Sequence, residues 1–305
     1  MPEIEGLSGV VTITNEGRPL TTTTGGGCAP TTRFQIASVS KNIASTLMMM
    51  LVEEGLLALH EPLDQWLPEA PPSWHALTLH HFLSNSSGIG HWKDIPGMDP
   101  SAPATRDERL ELLLRAPLLF EPGTQFRYSS PAFMAVGVVA ERATGKPYAG
   151  LLAEKILDPL RLTSTSCGRR PHDAVQGHHA GEPVEAWDLA SVTGSGDMWS
   201  TAEDLVLYAR ALDDGALVSR DSLALMRMQH STFVEPERSP DGRLELTGYG
   251  YGHYVGTFDG RPVALHTGDN PGYKSFLGWL PAGVGIVALS NDDSIQWEDL
   301  LLRML

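Results

Sequence analysis

The pattern of apolar and polar positions changes twice along the chain. Alternating or β-branched segments, which are typical of strands, lie near both ends, and short stretches with apolar residues at helical spacing fill the middle. Near the N-terminus the pattern predicts a strand over 9–14, a tight turn and a return strand over 19–24. Toward the other end, further strands are predicted over 249–257, 263–267, 273–280 and 285–290.

One long helix is predicted between these regions. Residues 38–54 contain no glycine or proline, and Ile43, Leu47 and Met50 repeat at helical spacing. Because apolar residues occur on the other sides of this helix as well, we expect it to be buried and to end at Gly55. Shorter helices are predicted over 79–84, 106–115, 133–142, 148–157, 219–228 and 295–305. A further helix is predicted to begin at a capping box at 200–203.

The order of these elements indicates an α/β (α+β) fold. In such a fold a central antiparallel sheet is flanked by helices and carries an inserted helical lobe. We therefore expect a discontinuous sheet domain made of 1–60 and 186–305, with a helical insertion domain over 61–185. A cleft between two lobes is a favoured place for a functional site.

Composition and charge indicate which classes of binding partner are disfavoured for this protein. The chain has 305 residues and a formal net charge of −15, which disfavours binding to nucleic acid or to an anionic membrane surface. The N-terminus is acidic, and no apolar run approaches the roughly 20 residues that cross a bilayer. We therefore expect a cytoplasmic protein that acts on a small molecule, either alone or as a homo-oligomer.

The strongest candidate for chemistry is the sequence Ser-Val-Ser-Lys at 38–41. Residues three apart lie on one face of a helix, so Lys41 can reach the Ser38 hydroxyl. A serine becomes a good nucleophile when a base takes its proton, and a buried lysine can be that base because burial lowers its pKa. A capped helix with an exposed lysine is the alternative, which the apolar neighbours of Lys41 disfavour.

A second motif, Tyr-Ser-Ser at 128–130, offers a partner for this serine. The Tyr128 phenol can share a proton with Lys41, so that the two groups would titrate together. The alternative is that Tyr128 packs against the core and Ser130 caps the following helix.

A third motif, His-Thr-Gly at 266–268, lies at the end of a predicted strand. Gly268, after His266 and Thr267, would let a substrate lie close to the strand. The backbone N–H groups of Asp269 and Ser38 could then bind an oxyanion. The alternative is a simple hairpin, because Asp-Asn-Pro-Gly at 269–272 is ordinary turn sequence.

Together, in this order and spacing, the motifs resemble the serine β-lactamase and penicillin-recognising family. The most similar branch holds class C β-lactamases, D-aminopeptidases and related esterases. The resemblance extends over almost the whole chain, in blocks at 34–41, 77–88, 122–130, 194–204 and 266–268. It implies a β-lactamase-like fold with Ser38 as acylated nucleophile, Lys41 as its base partner and Tyr128 as second proton carrier. His266 and Gly268 would line the third-motif strand.

Two departures from the family pattern concern the substrate. Ser130 stands where the second motif usually ends in asparagine, so one short hydroxyl replaces an amide. His266 stands where β-lactamases carry lysine, and a histidine is mostly neutral at pH 7. The serine gives up an amide that could orient the lysine and a substrate amide, and the histidine weakens recognition of a β-lactam or a C-terminal carboxylate. Because of both departures we expect weak β-lactamase activity.

The motifs therefore predict a serine hydrolase that acylates Ser38 and hydrolyses an ester, thioester or small amide. An intracellular acyltransferase in natural-product assembly would use the same residues and stays open as an alternative. A catalytically silent binding protein on this fold is a third hypothesis, which the intact catalytic set disfavours. We expect no metal or other cofactor, since His172, His178 and His179 fit no familiar ligand spacing.

Overall fold

The computed structural model describes residues 6–296 of the chain. The strands are β1 (Gly9–Asn15), β2 (Arg18–Gly25), β3 (Phe34–Gln35), β4 (Ser166–Cys167), β5 (Gly177–His179), β6 (Glu182–Val184), β7 (Met198–Ser200), β8 (Ser231–Arg238), β9 (Leu244–Tyr249), β10 (Tyr254–Phe258), β11 (Arg261–Asn270), β12 (Tyr273–Trp279) and β13 (Val284–Ser290). The α-helices are α1 (Ser40–Glu53), α2 (Leu79–Leu83), α3 (Arg106–Arg115), α4 (Ser130–Thr144), α5 (Tyr148–Leu152), α6 (Asp158–Leu160), α7 (Ala202–Asp213) and α8 (Arg220–Met226). A 3-10 turn, Ala37–Val39, precedes α1, and a π-helical stretch, Ala153–Leu157, joins α5 to α6.

The main sheet joins the two ends of the described chain. Eight strands of residues 6–296 form one antiparallel sheet in the order β2-β1-β13-β12-β11-β10-β9-β8. In the β1–β13 pair, Val10 lies opposite Leu289 and Val11 opposite Ala288. Because side chains alternate between the two faces, the first pair packs into one apolar cluster and the second pair into another. The predicted meeting of the first and last segments in one antiparallel sheet is confirmed.

The sheet departs from the predicted strands toward the β8 edge. The prediction of a single strand over 249–257 is wrong, because β9 ends at Tyr249 and β10 begins at Tyr254. Between them the Gly250 N–H donates to the carbonyl of His253, and Gly252 has a φ of +69°, so the chain reverses there. The sequence pattern also misses β8, an exposed edge strand that contains Pro236 and charged residues and therefore lacks apolar alternation.

The long predicted helix is present as α1, and every side chain from Ser40 through Met49 is buried. Polar side chains on such a helix need partners inside the protein. Asn42 accordingly donates to the Gly252 carbonyl at 3.1 Å, and the Thr46 hydroxyl donates to the Asn42 carbonyl at 3.0 Å. The helix is thereby tied to the turn between β9 and β10.

Two predicted helix ends are corrected or fall outside the structure. The prediction of a capping box at 200–203 is wrong, since the N-cap of α7 is Thr201, whose hydroxyl accepts the Asp204 N–H at 3.2 Å. The helix predicted over 295–305 lies almost entirely outside the described residues.

The division into sheet and insertion domains stays a prediction, and one apolar cluster contains residues from both, such as Leu47 and Phe133. Across residues 6–296, no helix is long and apolar enough to cross a membrane.

Strand β11 approaches the segment that carries Ser38 very closely. A Cβ atom on Gly268 would lie 2.5 Å from the carbonyl oxygen of Ile36 and 2.9 Å from Cβ of Ala37. The Ser275 hydroxyl on β12 donates to the same Ile36 carbonyl at 2.6 Å. The absence of a side chain at 268 therefore determines how closely the sheet and the candidate nucleophile can pack.

The substitution Gly268→Ala is expected to force β11 and the Ala37 turn apart, because the added methyl group has no space. Overpacking of this kind costs about 1–3 kcal/mol. Thermal unfolding should show a lower midpoint than in the wild type.

The control for this variant is Gly150→Ala. Gly150 is exposed on α5, and no heavy atom lies within 4 Å of its added Cβ. If the two variants were equally stable, the close approach at Gly268 would not constrain the fold.

Four histidines cluster around α2 and the start of β8. The ring centroids of His60, His81 and His230 lie 5.0, 5.4 and 5.2 Å from that of His80. His80 Nδ1 is also hydrogen-bonded to the Tyr251 hydroxyl at 2.7 Å. Burial, with smaller contributions from the neighbouring histidines, lowers the pKa of His80 to about 4. His80 is therefore neutral in the folded protein at neutral pH.

Acidification is expected to destabilise the fold through His80. In the unfolded chain a histidine has a pKa of about 6.5, so between this value and about 4 the unfolded state binds more protons. The stability that neutral His80 confers is complete above this window and is lost as the pH falls through it. Unfolding midpoints measured between about pH 7 and about pH 4.5 should therefore fall less steeply in His80→Phe than in the wild type.

The matched control is His75→Phe, because His75 is exposed. This variant should keep the pH dependence of the wild type. An unchanged slope in His80→Phe would show that the cluster does not govern acid stability.

Candidate active site

Ser38 lies in a strained turn between β3 and α1. The preceding residue, Ala37, has a φ of +46°, a conformation that costs energy for any residue with a side chain. The Ser40 hydroxyl donates to the Ala37 carbonyl at 2.6 Å and accepts the Met198 N–H at 3.2 Å. These bonds hold the turn, and Ser38 is partly exposed while Ala37 and Val39 are buried. The fold thus presents the Ser38 hydroxyl at the surface of the core.

The Lys41 side chain is 0% exposed and ends beside Ser38. Its Nζ lies 3.0 Å from Ser38 Oγ and also donates to the carbonyl of Ser195. The rings of Tyr128 and Phe133 surround it, with centroids 5.0 and 5.7 Å from Nζ. Burial lowers the Lys41 pKa well below its ordinary value, and the nearby Asp197 charge opposes that effect. The structure therefore favours the neutral amine that a base requires.

The second motif is held over Ser38 by the loop after α2. The Ser129 N–H donates to Asn85 Oδ1 at 2.9 Å, and the Ser129 hydroxyl donates to the Gly90 carbonyl at 2.9 Å. Next to it, the hydroxyl groups of Ser38 and Ser130 lie near the Tyr128 phenol. Burial raises the Tyr128 pKa, and these two hydroxyl groups oppose the rise only in part. Tyr128 is therefore a neutral phenol at the nucleophile.

Ser130 is buried beneath this phenol as the first residue of α4. The alternative that Ser130 caps the helix is wrong, since Ser129 is the N-cap and its hydroxyl accepts the Ala132 N–H at 3.0 Å. The Ser130 N–H points at His91 Nδ1, 3.3 Å away. Burial, followed by the charge of Lys41, lowers the His91 pKa to about 4. His91 is therefore a neutral neighbour of the site.

The third motif lies on β11, and its histidine is 0% exposed. His266 Nδ1 lies 2.7 Å from the Thr267 carbonyl oxygen, and its Nε2 lies 2.8 Å from the Tyr249 hydroxyl. Because a carbonyl oxygen only accepts, Nδ1 carries the proton and Nε2 accepts from Tyr249. Burial lowers the His266 pKa to about 3. His266 is a neutral, fully bonded side chain that supplies no cation to a substrate.

Gly268 and Asp269 follow on the same strand. Gly268 lies against Ala37, which brings β11 alongside the nucleophile turn. Asp269 pairs with Lys274 across β11 and β12, with 3.8 Å between Lys274 Nζ and Asp269 Oδ2. The Asp269 side chain is exposed, and the oxyanion role of its N–H stays a prediction.

Several groups at the site were not assigned a role from the sequence. Asn85 positions the second motif, Ser195 binds Lys41 through its backbone carbonyl, and Tyr249 binds His266. Asn85 and Ser195 lie within sequence blocks of the family resemblance, so their location was indicated but their partners were not. A backbone carbonyl leaves no residue-type signal, which is why Ser195 could not be singled out.

His178 and His179, which lie in β5, are bonded to the segment that follows β13. His178 Nδ1 lies 3.3 Å from the carbonyl oxygen of Asn291, and His179 Nδ1 lies 2.5 Å from Asp293 Oδ1. Within the described part of the chain, no three histidine, cysteine or acidic side chains are placed to hold a metal ion.

The chain is similar in sequence to known proteins over most of its length. It matches the Beta-lactamase family over residues 3–303. It is 35% identical to Esterase EstB of Burkholderia gladioli over 171 residues, which are 50% of this chain and 43% of the esterase. It is 25% identical to Penicillin-binding protein 4* of Bacillus subtilis (strain 168) over 295 residues, which are 88% of this chain and 63% of that protein. The chain thus spans less than two thirds of the length of either relative.

Solved structures share the fold. D-amino acid amidase from Ochrobactrum anthropi SV3 superposes with a TM-score of 0.82 at 22% identity, over 98% of this chain and 96% of the amidase. The hydrolase EstCE1 superposes with a TM-score of 0.77 at 22% identity, over 98% of this chain and 93% of that chain. These superpositions confirm the predicted β-lactamase-like fold, and the match over residues 3–303 shows that the chain belongs to the Beta-lactamase family.

Proposed function

We propose that this protein is a serine hydrolase that forms an acyl-enzyme on Ser38 and hydrolyses uncharged esters or small amides. The observation that carries the proposal is the fully buried Lys41 amine 3.0 Å from a partly exposed Ser38 hydroxyl. The relative from Burkholderia gladioli, an esterase by name, agrees with it.

Lys41 is the better candidate for the base. Burial lowers the pKa of Lys41 and raises that of Tyr128, so the amine tends to be neutral and the phenol protonated. A neutral amine has a lone pair that can accept the Ser38 proton while one of its N–H groups donates to the Ser195 carbonyl.

In the acylation step, Ser38 Oγ bonds to the substrate carbonyl carbon as its proton moves to Lys41 Nζ. The carbonyl electrons move onto the oxygen, which the N–H groups of Ser38 and Asp269 would stabilise. The proton then passes from Lys41, through the Tyr128 phenol, to the departing oxygen or nitrogen, and the bond to the leaving group breaks. Water repeats the same steps on the acyl-Ser38 and releases the acid.

Replacement of Ser38 by alanine should remove covalent labelling and nearly all turnover. Intact-mass spectrometry of the wild type with an activated ester is expected to show one acyl adduct. Ser38→Ala should show none, and its kcat should fall by at least about a thousandfold, because no other group can attack. The control is Ser45→Ala, because Ser45 lies one turn beyond Lys41 on α1 and its buried hydroxyl has no hydrogen-bond partner among the described residues. Turnover without an adduct in the wild type, or full turnover in Ser38→Ala, would contradict the mechanism.

The acyltransferase alternative uses the same acyl-Ser38 and differs only in the acceptor. Products of an activated ester should therefore be measured with and without an added alcohol or amine. Free acid as the main product in both cases supports the hydrolase. Transfer to the acceptor in preference to water would favour the acyltransferase.

The charges around the site favour an uncharged substrate. His266 is neutral, Arg127 is held by Asp94 at 2.6 Å, and Lys274 lies beside Asp269. The adjoining surface is aromatic, with the Tyr254 ring stacked at 6.1 Å on that of Tyr128. An apolar acyl group can pack against such rings, whereas a carboxylate would find no unpaired cation among these side chains.

Matched esters test this preference. The p-nitrophenyl ester of pentanoic acid should be hydrolysed with a kcat/KM at least about tenfold above that of the glutaric acid monoester, because the latter must bury an unpaired carboxylate. Spontaneous hydrolysis of both esters is the control for intrinsic reactivity. Equal or reversed kcat/KM values would rule out the neutral-substrate assignment while leaving the acyl-enzyme mechanism intact.

A further inference from the structure

A fully buried carboxyl group lies in the loop that binds Lys41. The loop Gly194–Asp197 precedes β7, and the Ser195 carbonyl accepts a hydrogen bond from Lys41 Nζ. Asp197, two residues further on, is 0% exposed. Buried carboxylates are rare unless a partner compensates their charge, so this residue calls for a physical explanation.

The hydrogen bonds of Asp197 satisfy only half of its carboxyl group. Oδ1 accepts the Gly194 N–H at 2.9 Å, whereas Oδ2 is buried with no hydrogen-bond partner among the described residues. Its backbone carbonyl accepts the Gly168 N–H at 3.0 Å. The side chain is thus fixed in place, and one oxygen is left without a donor.

The loop is also bonded to the nucleophile segment. The Ile36 N–H donates to the Met198 carbonyl at 2.9 Å, and the Met198 N–H donates to the Ser40 hydroxyl at 3.2 Å. Asp197 therefore keeps a constant position relative to Ser38 and Lys41. A charge in this position acts through low-dielectric protein, where it is screened much less than at the surface.

Among residues 6–296, Asp197 is the one anion whose charge acts on Lys41. The titratable groups facing Lys41 are Tyr128, His91, His266 and Asp197, and those facing Asp197 are Lys41, Tyr148 and Cys167. Burial keeps the tyrosines and the cysteine protonated, and it keeps both histidines neutral. Burial also raises the pKa of Asp197 to about 7, and Lys41 is the one cation that opposes this rise.

We propose that Asp197 is a positioning residue that keeps buried Lys41 basic enough to take the Ser38 proton and stabilises the ammonium ion that results. The proposal rests on the acyl-enzyme function and adds a fourth side chain to it. As the proton moves from Ser38 Oγ to Lys41 Nζ, the new positive charge forms against the loop that carries the buried Asp197 carboxylate. When the proton passes on to the leaving group, that charge disappears again, and Asp197 makes no bond to substrate.

The isosteric variant Asp197→Asn tests the role in the reaction. Its amide oxygen can still accept the Gly194 N–H, but the negative charge is lost. Without that charge the acidic limb of the kcat/KM profile should move to lower pH by about one unit or more, and the plateau should fall because the base is weaker. A merely structural residue would lower the rate without moving the limb. An unmoved limb would overturn the proposal.

The control variant is Asp204→Asn. Asp204 is another buried aspartate, which accepts the Ser164 N–H at 2.9 Å and the Thr165 hydroxyl at 2.7 Å near the start of α7. It lies in a different hydrogen-bond network from Lys41, so its substitution should leave the pH profile in place even if stability falls. A shift of equal size in this variant would show that any buried charge has the effect, and would also overturn the proposal.

The titration of Asp197 can be measured without substrate, so its outcome can be distinguished from that of the proposed function. The measurement also does not require that Asp197→Asn folds. Carboxyl-selective carbon NMR can follow the titration of Asp197 in the wild type and in Lys41→Met. Wherever Lys41 is protonated it stabilises the Asp197 carboxylate, so its removal should raise the Asp197 titration midpoint by about one unit or more. Equal midpoints would overturn the coupling. An acyl adduct on Ser38 with equal midpoints would refute this inference alone, whereas coupled midpoints with no adduct would refute the proposed function.

Discussion

The burial of one amine, that of Lys41, is the constraint on which the rest of the site depends. A lysine buried away from water holds its charge only at a high cost in free energy, so its pKa falls and its amine can act as a base. This environment exists because α1 is buried on all sides rather than along one stripe. The groups that touch the amine come from other elements: the Ser195 carbonyl, the Tyr128 ring and the Ser38 hydroxyl.

Close backbone packing brings these elements to the amine. Gly268 allows β11 to lie against the Ala37 turn, and the Asn85 side chain holds the second motif through the Ser129 N–H. The strained φ of Ala37 is maintained by the Ser40 hydrogen bonds on both sides of the turn. Strain of this kind persists only where the surroundings over-determine the backbone, as they do here.

The same burial controls the charge of the whole site. His266, which could have been a titrating cation, is neutral because it is buried, and the charge of Lys41 lowers its pKa further. His91 is neutral for a similar reason. Of the groups buried at the site, Lys41 and Asp197 are the two that can carry a charge near neutral pH.

The sequence pattern was sufficient to predict the antiparallel sheet, the buried helix α1 and the order of the three motifs. Periodicity reports which faces are apolar, and the spacing of Ser38 and Lys41 requires only one helical turn. The sequence pattern did not predict the break between β9 and β10, the edge strand β8 or the N-cap at Ser129. Turn hydrogen bonds and exposed edge strands do not produce a regular spacing of apolar residues. The complete burial of His266, and the position of buried Asp197 in the loop that binds Lys41, became apparent from the folded arrangement of the chain. Desolvation and charge proximity depend on distances between segments that are far apart in the chain, and no local pattern encodes them.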